Sequence, residues 1–365
     1  MKIDTVTLAD FRNYRKQSVS LAPGINFLVG ANGEGKTNFL ESIYALALTK
    51  SYKGDDREMI RFECRFARAR ANIIAASGRI DLQIVLAEDG KKALSNGQEV
   101  RRLSDYIGTL NVVLFAPEDM NLVKGSPVDR RYFLDVVLGQ IDRRYLDVLS
   151  EYRHALKQRN ELLKQAQVGR MIDRDLLDVL TEQLAAAGDV VVAKRARFVQ
   201  ELDRKAAKAF QFLSTKQEDL ALAYEPSVSE NLLTTLKSRY KTDMLAGTTN
   251  HGPHRDDLGF TLNGMPASSF ASQGEQRMIV LAVDLALIDY VEETKKDRPV
   301  FLLDDVLSEL DDEKQNRLLR RLMESGIQAV VTATSLTDIA DEIIRAARIF
   351  KVINGNIKEE HHGQS

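Results

Sequence analysis

Three short runs carry the side chains needed to hold and activate a phosphate ester. Gly30-Ala31-Asn32-Gly33-Glu34-Gly35-Lys36-Thr37 joins three glycines to a lysine and a hydroxyl. Gly30, Gly33 and Gly35 let the backbone turn without side-chain clashes, so its N–H groups point inward at an anion. Lys36 is spaced to reach the β- and γ-phosphates of a nucleotide, and the Thr37 hydroxyl to bind Mg²⁺. Far along the chain, Val300-Phe301-Leu302-Leu303-Asp304-Asp305 ends an apolar stretch on two carboxylates. Asp304 is the expected Mg²⁺ ligand, directly or through water, and Asp305 can orient or deprotonate an attacking water. The third run, Ser272-Gln273-Gly274-Glu275-Gln276, comes shortly before that stretch.

Regular elements must position these groups. Ile25, Phe27, Leu28 and Val29 predict a buried strand ending at Gly30. Asn38 to Ile43 predicts the start of a helix whose N-terminus favours negative charge. Strand before and helix after are the context a phosphate loop requires. Ile80, Leu82, Ile84 and Leu86 alternate as in a half-buried strand, with hairpin turns at Asp89-Gly90 and Asn96-Gly97. From Asp129 the period becomes helical through Phe133, Val137, Ile141, Tyr145, Leu149, Tyr152 and Leu156, up to a break at Val168-Gly169-Arg170. A second helical run extends from Asp175 through Leu184, Val191, Phe198 and Leu202 to Phe210. This arm is too short, and its heptads too irregular, for a long coiled coil. Asn263-Gly264 marks a further hairpin, after which strand–helix alternation resumes to Ile353. The pattern predicts an α/β phosphate-loop head with an antiparallel β subdomain and an inserted helical arm. Segments 1–125 and 246–365 form the head and 126–245 the arm, and the Glu359–Ser365 tail is expected to be disordered.

With 365 residues, 44% of them hydrophobic, the chain can bury one large core or two smaller ones. Its single cysteine, Cys64, excludes an internal disulfide and suits a reducing compartment. Met1 opens no signal-peptide core and no apolar run approaches membrane-spanning length, so a cytoplasmic place is expected. A formal charge of −2 means that any DNA contact must come from local patches. Arg57, Arg61, Arg65, Arg68 and Arg70 are the candidate strip, with Lys91, Lys92, Arg101 and Arg102 close by; ordinary solvated charge on a β-rich lobe explains them equally well. Arg130-Arg131 and Arg143-Arg144 are placed to pair with Asp135, Asp142 or Asp147. His251 and His254 lack a third ligand at metal-site spacing and read as structural.

Taken together, the phosphate loop, the Ser272–Gln276 run, the Val300–Asp305 strand and the Ser308-Glu309-Leu310-Asp311 turn resemble the ABC ATPase superfamily. Leu8-Ala9-Asp10-Phe11-Arg12-Asn13-Tyr14-Arg15 is similar to the opening of its SMC-like DNA-repair branch. More narrowly, Phe115-Ala116-Pro117-Glu118-Asp119, the stretch from Lys124 to Asp135 and Gly252-Pro253-His254-Arg255-Asp256-Asp257-Leu258 resemble the RecF family of bacterial recombination mediators. The resemblance runs almost end to end. It implies ATP and Mg²⁺ as ligands, and Arg12 and Asn13 near the nucleotide. It also implies an ATP-dependent homodimer, in which Ser272, Gln273, Gly274, Glu275 and Gln276 of one subunit serve the nucleotide of the other. DNA at single-stranded gaps, as single strand, duplex or their junction, is the implied ligand of that dimer. RecO and RecR are the implied partners in loading RecA, in the bacterial cytoplasm and without a membrane.

Several positions depart from the superfamily pattern. Gln273 stands where transporter signatures carry the first of two glycines. Asp305 replaces the usual catalytic glutamate and is one methylene shorter, which implies slow turnover. No switch histidine follows the next strand, where Thr332 or Thr334 is left to contact the γ-phosphate. The alternative reading is an ATP-binding subunit of an ABC transporter, which shares the nucleotide motifs. An ATPase-coupled nuclease of the overcoming-lysogenisation-defect type also shares the N-terminal half, but it would need a Toprim domain after Asp311.

Overall fold

The computed structural model describes residues 1–214, 216–229 and 231–360. They cluster into two units, one of Met1–Met120, Lys208–Glu218 and Ser272–Ser365, the other of Asn121–Ala207 and Asp219–Ala271.

Two sheets build the first unit. One has the strand order Asn356–Glu360, Arg348–Ile353, Ile25–Val29, Ala329–Ala333, Val300–Leu303, Val112–Phe115. Every pairing in it is parallel except that of the edge strand Asn356–Glu360. Parallel strands are covered on both faces and therefore read as continuous apolar runs; Val300–Leu303 and Ala329–Ala333 are buried at every residue. The helices Lys36–Leu48 and Gln273–Lys295 are themselves buried over most of their length, as central elements of this core. Because Ala329–Ala333 lies between Ile25–Val29 and Val300–Leu303, its C-terminal end falls between the phosphate loop and the paired aspartates. Ligands of such sheets bind at the carboxyl ends of the strands.

The second sheet is antiparallel, in the order Tyr14–Ser20, Lys2–Phe11, Phe66–Ala75, Gly78–Ala87, Gly90–Ser95, Gln98–Glu99. Its strands alternate, as one-sided burial requires. Along Phe66–Ala75 the residues Ala67, Ala69, Ala71 and Ile73 face the core, while Phe66, Arg68, Arg70, Asn72 and Ile74 face solvent.

The second unit contains the helices Pro127–Ile141 and Arg143–Gln167, most of Arg174–Leu213, and a three-stranded antiparallel sheet. Residues 246–271, expected from sequence to belong with the C-terminal head segment, cluster here because Asp257–Leu262 pairs with Leu220–Glu225. The first helical run is two helices rather than one. Asp142 divides them by accepting from the N–H groups of Arg144 (2.9 Å) and Tyr145 (3.3 Å), which caps the second helix. His254 bonds the Tyr152 hydroxyl at 2.5 Å and the Thr249 carbonyl at 2.9 Å, a structural role. Arg130 forms a two-pronged pair with Asp257 (2.6 and 2.8 Å) rather than with a neighbour on its own helix. Of the expected disordered tail, Glu359 and Glu360 belong to an edge strand, and 361–365 lie outside the described residues. No described helix is long and apolar enough to cross a membrane.

Candidate nucleotide site

Ile25–Val29 ends where the chain must pass close to its neighbour strand. A Cβ on Gly30 would lie 2.4 Å from the Val352 carbonyl oxygen, so a larger residue is excluded. Gly35 has φ 114°, and a Cβ there would fall 2.4 Å from the Asn13 amide. The hairpin before the loop clamps it. Asn13 donates to the Glu34 carbonyl (3.0 Å) and accepts from Asn38 (3.0 Å), and the Tyr14 hydroxyl donates to the Gly35 carbonyl (2.8 Å). Arg12 reaches away to a fully buried carboxylate, Glu41, with two bonds of 2.8 Å. Hydrogen bonding to Glu41 raises the Arg12 pKa. Arg12 and Asn13 therefore hold the loop and its helix, and neither is among the residues lining the cavity described next.

Lys36 donates to the carbonyls of Gly30 (2.7 Å) and Ala31 (2.8 Å). Burial lowers its pKa, while Asp305, Asp304 and Glu34 act in the opposite sense. The main chain of Glu34 accepts from Gly355 N–H at 3.0 Å and its carboxylate from Asn354 N–H, which ties the loop to the Arg348–Ile353 hairpin. Ala31, Asn32 and Gly33 form the exposed rim.

Asp304, buried to 3% exposure, collects hydrogen bonds from three segments. Its Oδ1 accepts from Thr37 (2.8 Å) and Thr332 (3.0 Å), and its Oδ2 from the Tyr52 hydroxyl (3.0 Å). Desolvation, then the Asp304 charge, raises the Tyr52 pKa, so the phenol stays a donor. Asp305 is held in a left-handed conformation, φ 53°, with its N–H on the Thr332 hydroxyl at 2.8 Å. Thr332 therefore touches both aspartates, whereas Thr334 is exposed beyond the strand end.

These groups surround a cavity of about 340 Å³. Of the predicted site residues, Asn32, Gly33, Gly35, Lys36, Thr37, Asp304 and Asp305 line it. Asn38, Lys53, Pro117, Glu118 and Thr332 line it as well; the sequence marks Asn38 only as a helix start and Pro117 and Glu118 only within a family motif, and it marks neither Lys53 nor the Tyr52 contact to Asp304. Lys53 carries only a weak signal, a charge shortly after the loop helix. The oxygen donors of Thr37, Asp304 and Asp305 suit a hard cation such as Mg²⁺. Among the described residues no cluster of three or more His, Cys, Asp or Glu could hold a metal by itself.

The Ser272–Gln276 run lies outside that lining. Ser272 caps the helix Gln273–Lys295 through a reciprocal box: its hydroxyl accepts from Glu275 N–H (3.3 Å), and its own N–H donates to the Glu275 carboxylate (2.7 Å). Ser272, Gln273 and Gly274 are exposed, while Gln276 is buried and anchors the turn. The helix thus presents its N-terminus, an anion-favouring feature, to solvent.

In the arginine strip, Arg57, Arg65 and Arg68 are exposed. Arg61 sits 3.9 Å from Asp10, and Arg70 is engaged by Asp81 in two bonds of 2.7 and 3.0 Å. Register places Arg68 in one cross-strand row with Lys16, Ala9, Val85 and Lys92. Cations on alternate strands of such a row stand roughly 10 Å apart. Lys16 is a member that sequence proximity could not reveal.

Comparison with known proteins places this geometry. The RecF/RecN/SMC N terminal domain family matches residues 2–358. The DNA replication and repair protein RecF of Shouchella clausii is 45% identical, with 98% of this chain and 99% of that protein aligned. Its counterpart in Ligilactobacillus salivarius is 42% identical over 99% of this chain and 98% of its own. Among solved structures, the recombination mediator protein RecF-ATP in the RecFOR pathway superposes with a TM-score of 0.90 at 29% identity, covering 98% and 97% of the two chains. The Smc head domain of Pyrococcus furiosus matches with a TM-score of 0.57 at 18% identity, over 98% of this chain and 95% of its own, and shares the fold. By sequence and by fold, the chain belongs to the RecF family of DNA replication and repair proteins.

Proposed function

We propose that this chain is an ATP-dependent DNA-binding clamp of recombinational repair and replication restart. Two copies close on ATP, engage DNA at single-stranded gaps and help to load RecA together with RecO and RecR, in the bacterial cytoplasm. The observation that carries the nucleotide reading is the carboxylate of Asp304. It accepts from Thr37 of the phosphate loop and from Thr332 of the strand between, beside an ammonium, Lys36, that donates to main-chain carbonyls.

On ATP binding, Lys36 exchanges those carbonyls for β- and γ-phosphate oxygens, and the loop N–H groups face the anion. Thr37 and Asp304 would hold Mg²⁺, which would neutralise phosphate charge when bound. Asp305 orients the attacking water, and its short side chain makes turnover slow. Arg12 and Asn13 act on the nucleotide through the loop they hold. Ser272 and Gly274 of one subunit complete the γ-phosphate shell of the other, which makes ATP part of the dimer contact. Hydrolysis then removes the group that favours closure. DNA bound along the Arg65 and Arg68 face stabilises the same closed state, so each ligand strengthens the other.

Sedimentation velocity with and without ATP, then with gapped DNA, tests this reading. A monomer that dimerises only with ATP, and a Lys36→Met variant that stays monomeric, are expected. Equal sedimentation of wild type and Lys36→Met in ATP would overturn it.

A further inference from the structure

We propose that Tyr52 is a positioning residue for the carboxylate of Asp304, and through it for the divalent cation of the bound nucleotide. The inference rests on the reading of Thr37 and Asp304 as the cation's protein ligands.

A carboxylate held at one oxygen can still rotate about its Cβ–Cγ bond. Here Thr37 and Thr332 both bind Oδ1, which leaves Oδ2 to be fixed by something else. The Tyr52 hydroxyl supplies that restraint at 3.0 Å, from a residue 252 positions away in sequence. A phenol suits this role because it donates one hydrogen bond, carries no charge that would repel a cation, and leaves the second lone pair of Oδ2 free.

The Tyr52 ring is itself located. It packs edge-on against Tyr44 of the loop helix, with ring centroids 5.2 Å apart and planes at 73°. Its loop is fixed on both sides. The Ser51 hydroxyl donates to Glu41 at 2.5 Å, the same buried carboxylate that Arg12 grips. Asp56 accepts from Ser51 N–H at 2.9 Å and from Lys91 at 2.7 Å, and Lys91 also bonds the Thr49 carbonyl at 2.5 Å. A loop restrained at residues 49, 51 and 56 presents its tyrosine in one orientation. Groups that orient a metal ligand from behind change metal affinity by roughly 10–100-fold when removed.

Tyr52→Phe keeps the ring and its contact with Tyr44 and deletes only the donor. The measurement is calorimetric ATP affinity as a function of Mg²⁺ concentration, with EDTA as the metal-free reference. In Tyr52→Phe the Mg²⁺ midpoint is expected to rise roughly tenfold or more, while ATP affinity in EDTA stays at the wild-type value. In an Asp304→Asn background, Tyr52→Phe should shift the midpoint no further, because the partner it orients has been altered. An unchanged midpoint in Tyr52→Phe overturns the proposal, and so does an equal shift in both backgrounds. If neither Thr37→Val nor Asp304→Asn moves the wild-type midpoint, the underlying cation site fails instead.

Discussion

Thr332→Val replaces one buried hydroxyl by a methyl of the same shape, at the point where both aspartates meet. The hydroxyl donates to Asp304 at 3.0 Å and accepts from Asp305 N–H at 2.8 Å, at 1% exposure. Losing a hydrogen bond to a charged group costs about 1.5–3 kcal/mol, and leaving an N–H buried and unpaired costs about 1–3 kcal/mol. Asp305 also stands in a left-handed conformation, φ 53°, which for a non-glycine residue costs about 1–2 kcal/mol and is sustained by that N–H bond. Relaxation of Asp305 recovers part of the loss. The net destabilisation of the ligand-free protein should be about 2–4 kcal/mol.

The same relaxation moves the Asp305 carboxylate, so hydrolysis should fall by about tenfold or more, the equivalent of about 1.4 kcal/mol in the barrier. ATP affinity in EDTA should hold, because Lys36 and the loop are untouched. Urea unfolding and single-turnover hydrolysis measure the two effects. Thr334→Val, at an exposed position, should stay within about 0.5 kcal/mol of wild type. A Thr332→Val protein of wild-type stability and wild-type hydrolysis would refute the reasoning, as would a larger effect at Thr334.

Three further perturbations probe other parts of the first unit. Reversing Arg65 and Arg68 to Glu should weaken binding of gapped DNA and lower the slope of log affinity against log salt by about 1–2, since each exposed arginine releases one counterion on binding. Arg70→Gln should change it least, because Asp81 already engages that guanidinium; equal losses at Arg70 and Arg68 would contradict the assignment. Desolvation and the nearby Glu118 charge push the Asp119 carboxyl up to about 7, and burial with the Asp119 charge raises Asp284 as well. An acid whose folded pKa exceeds its unfolded value keeps its proton longer in the native state, so its contribution to stability falls as pH rises from about 4 to about 7. Asp119→Asn can still accept from Ala116 N–H, a 2.7 Å bond in the wild type, and should lose that slope. It should match wild type near pH 4 and melt higher at pH 8; thermal melts that keep the wild-type slope would count against the assignment.

How much of this was legible in the sequence depends on how local the cause is. The phosphate loop was readable because glycine spacing, lysine and hydroxyl all follow from backbone geometry within eight residues. The paired aspartates were readable once that loop was in hand, since a buried parallel strand must end near it. Arg12 was found as a position near the site, but its partner, Glu41, is 29 residues on and nothing local marks it. Tyr52 gave no signal at all, because its role exists only through a contact spanning 252 residues. That Thr332 rather than Thr334 touches the aspartates depends on where the strand ends, a boundary that local periodicity sets poorly. The division at Asp142 was missed because the apolar stripe continues in register across it while the cap is made by a single carboxylate. The assignment of 246–271 failed to show in sequence because strand pairing, not proximity along the chain, decides it.

If each ATP site is shared between two subunits, ATP hydrolysis by mixed variants separates it from a site that one subunit completes alone. Lys36→Met removes the phosphate partner from one subunit's loop, and Ser272→Arg puts a bulky cation at the exposed N-cap that should face the other's γ-phosphate. Each variant alone should be inactive, although Ser272→Arg still binds ATP as a monomer. Because neither variant pairs with itself, dimers in an equimolar mixture are heterodimers, each with one of its two sites rebuilt, so up to about half of wild-type activity should return. Full activity of Ser272→Arg on its own would contradict the shared site.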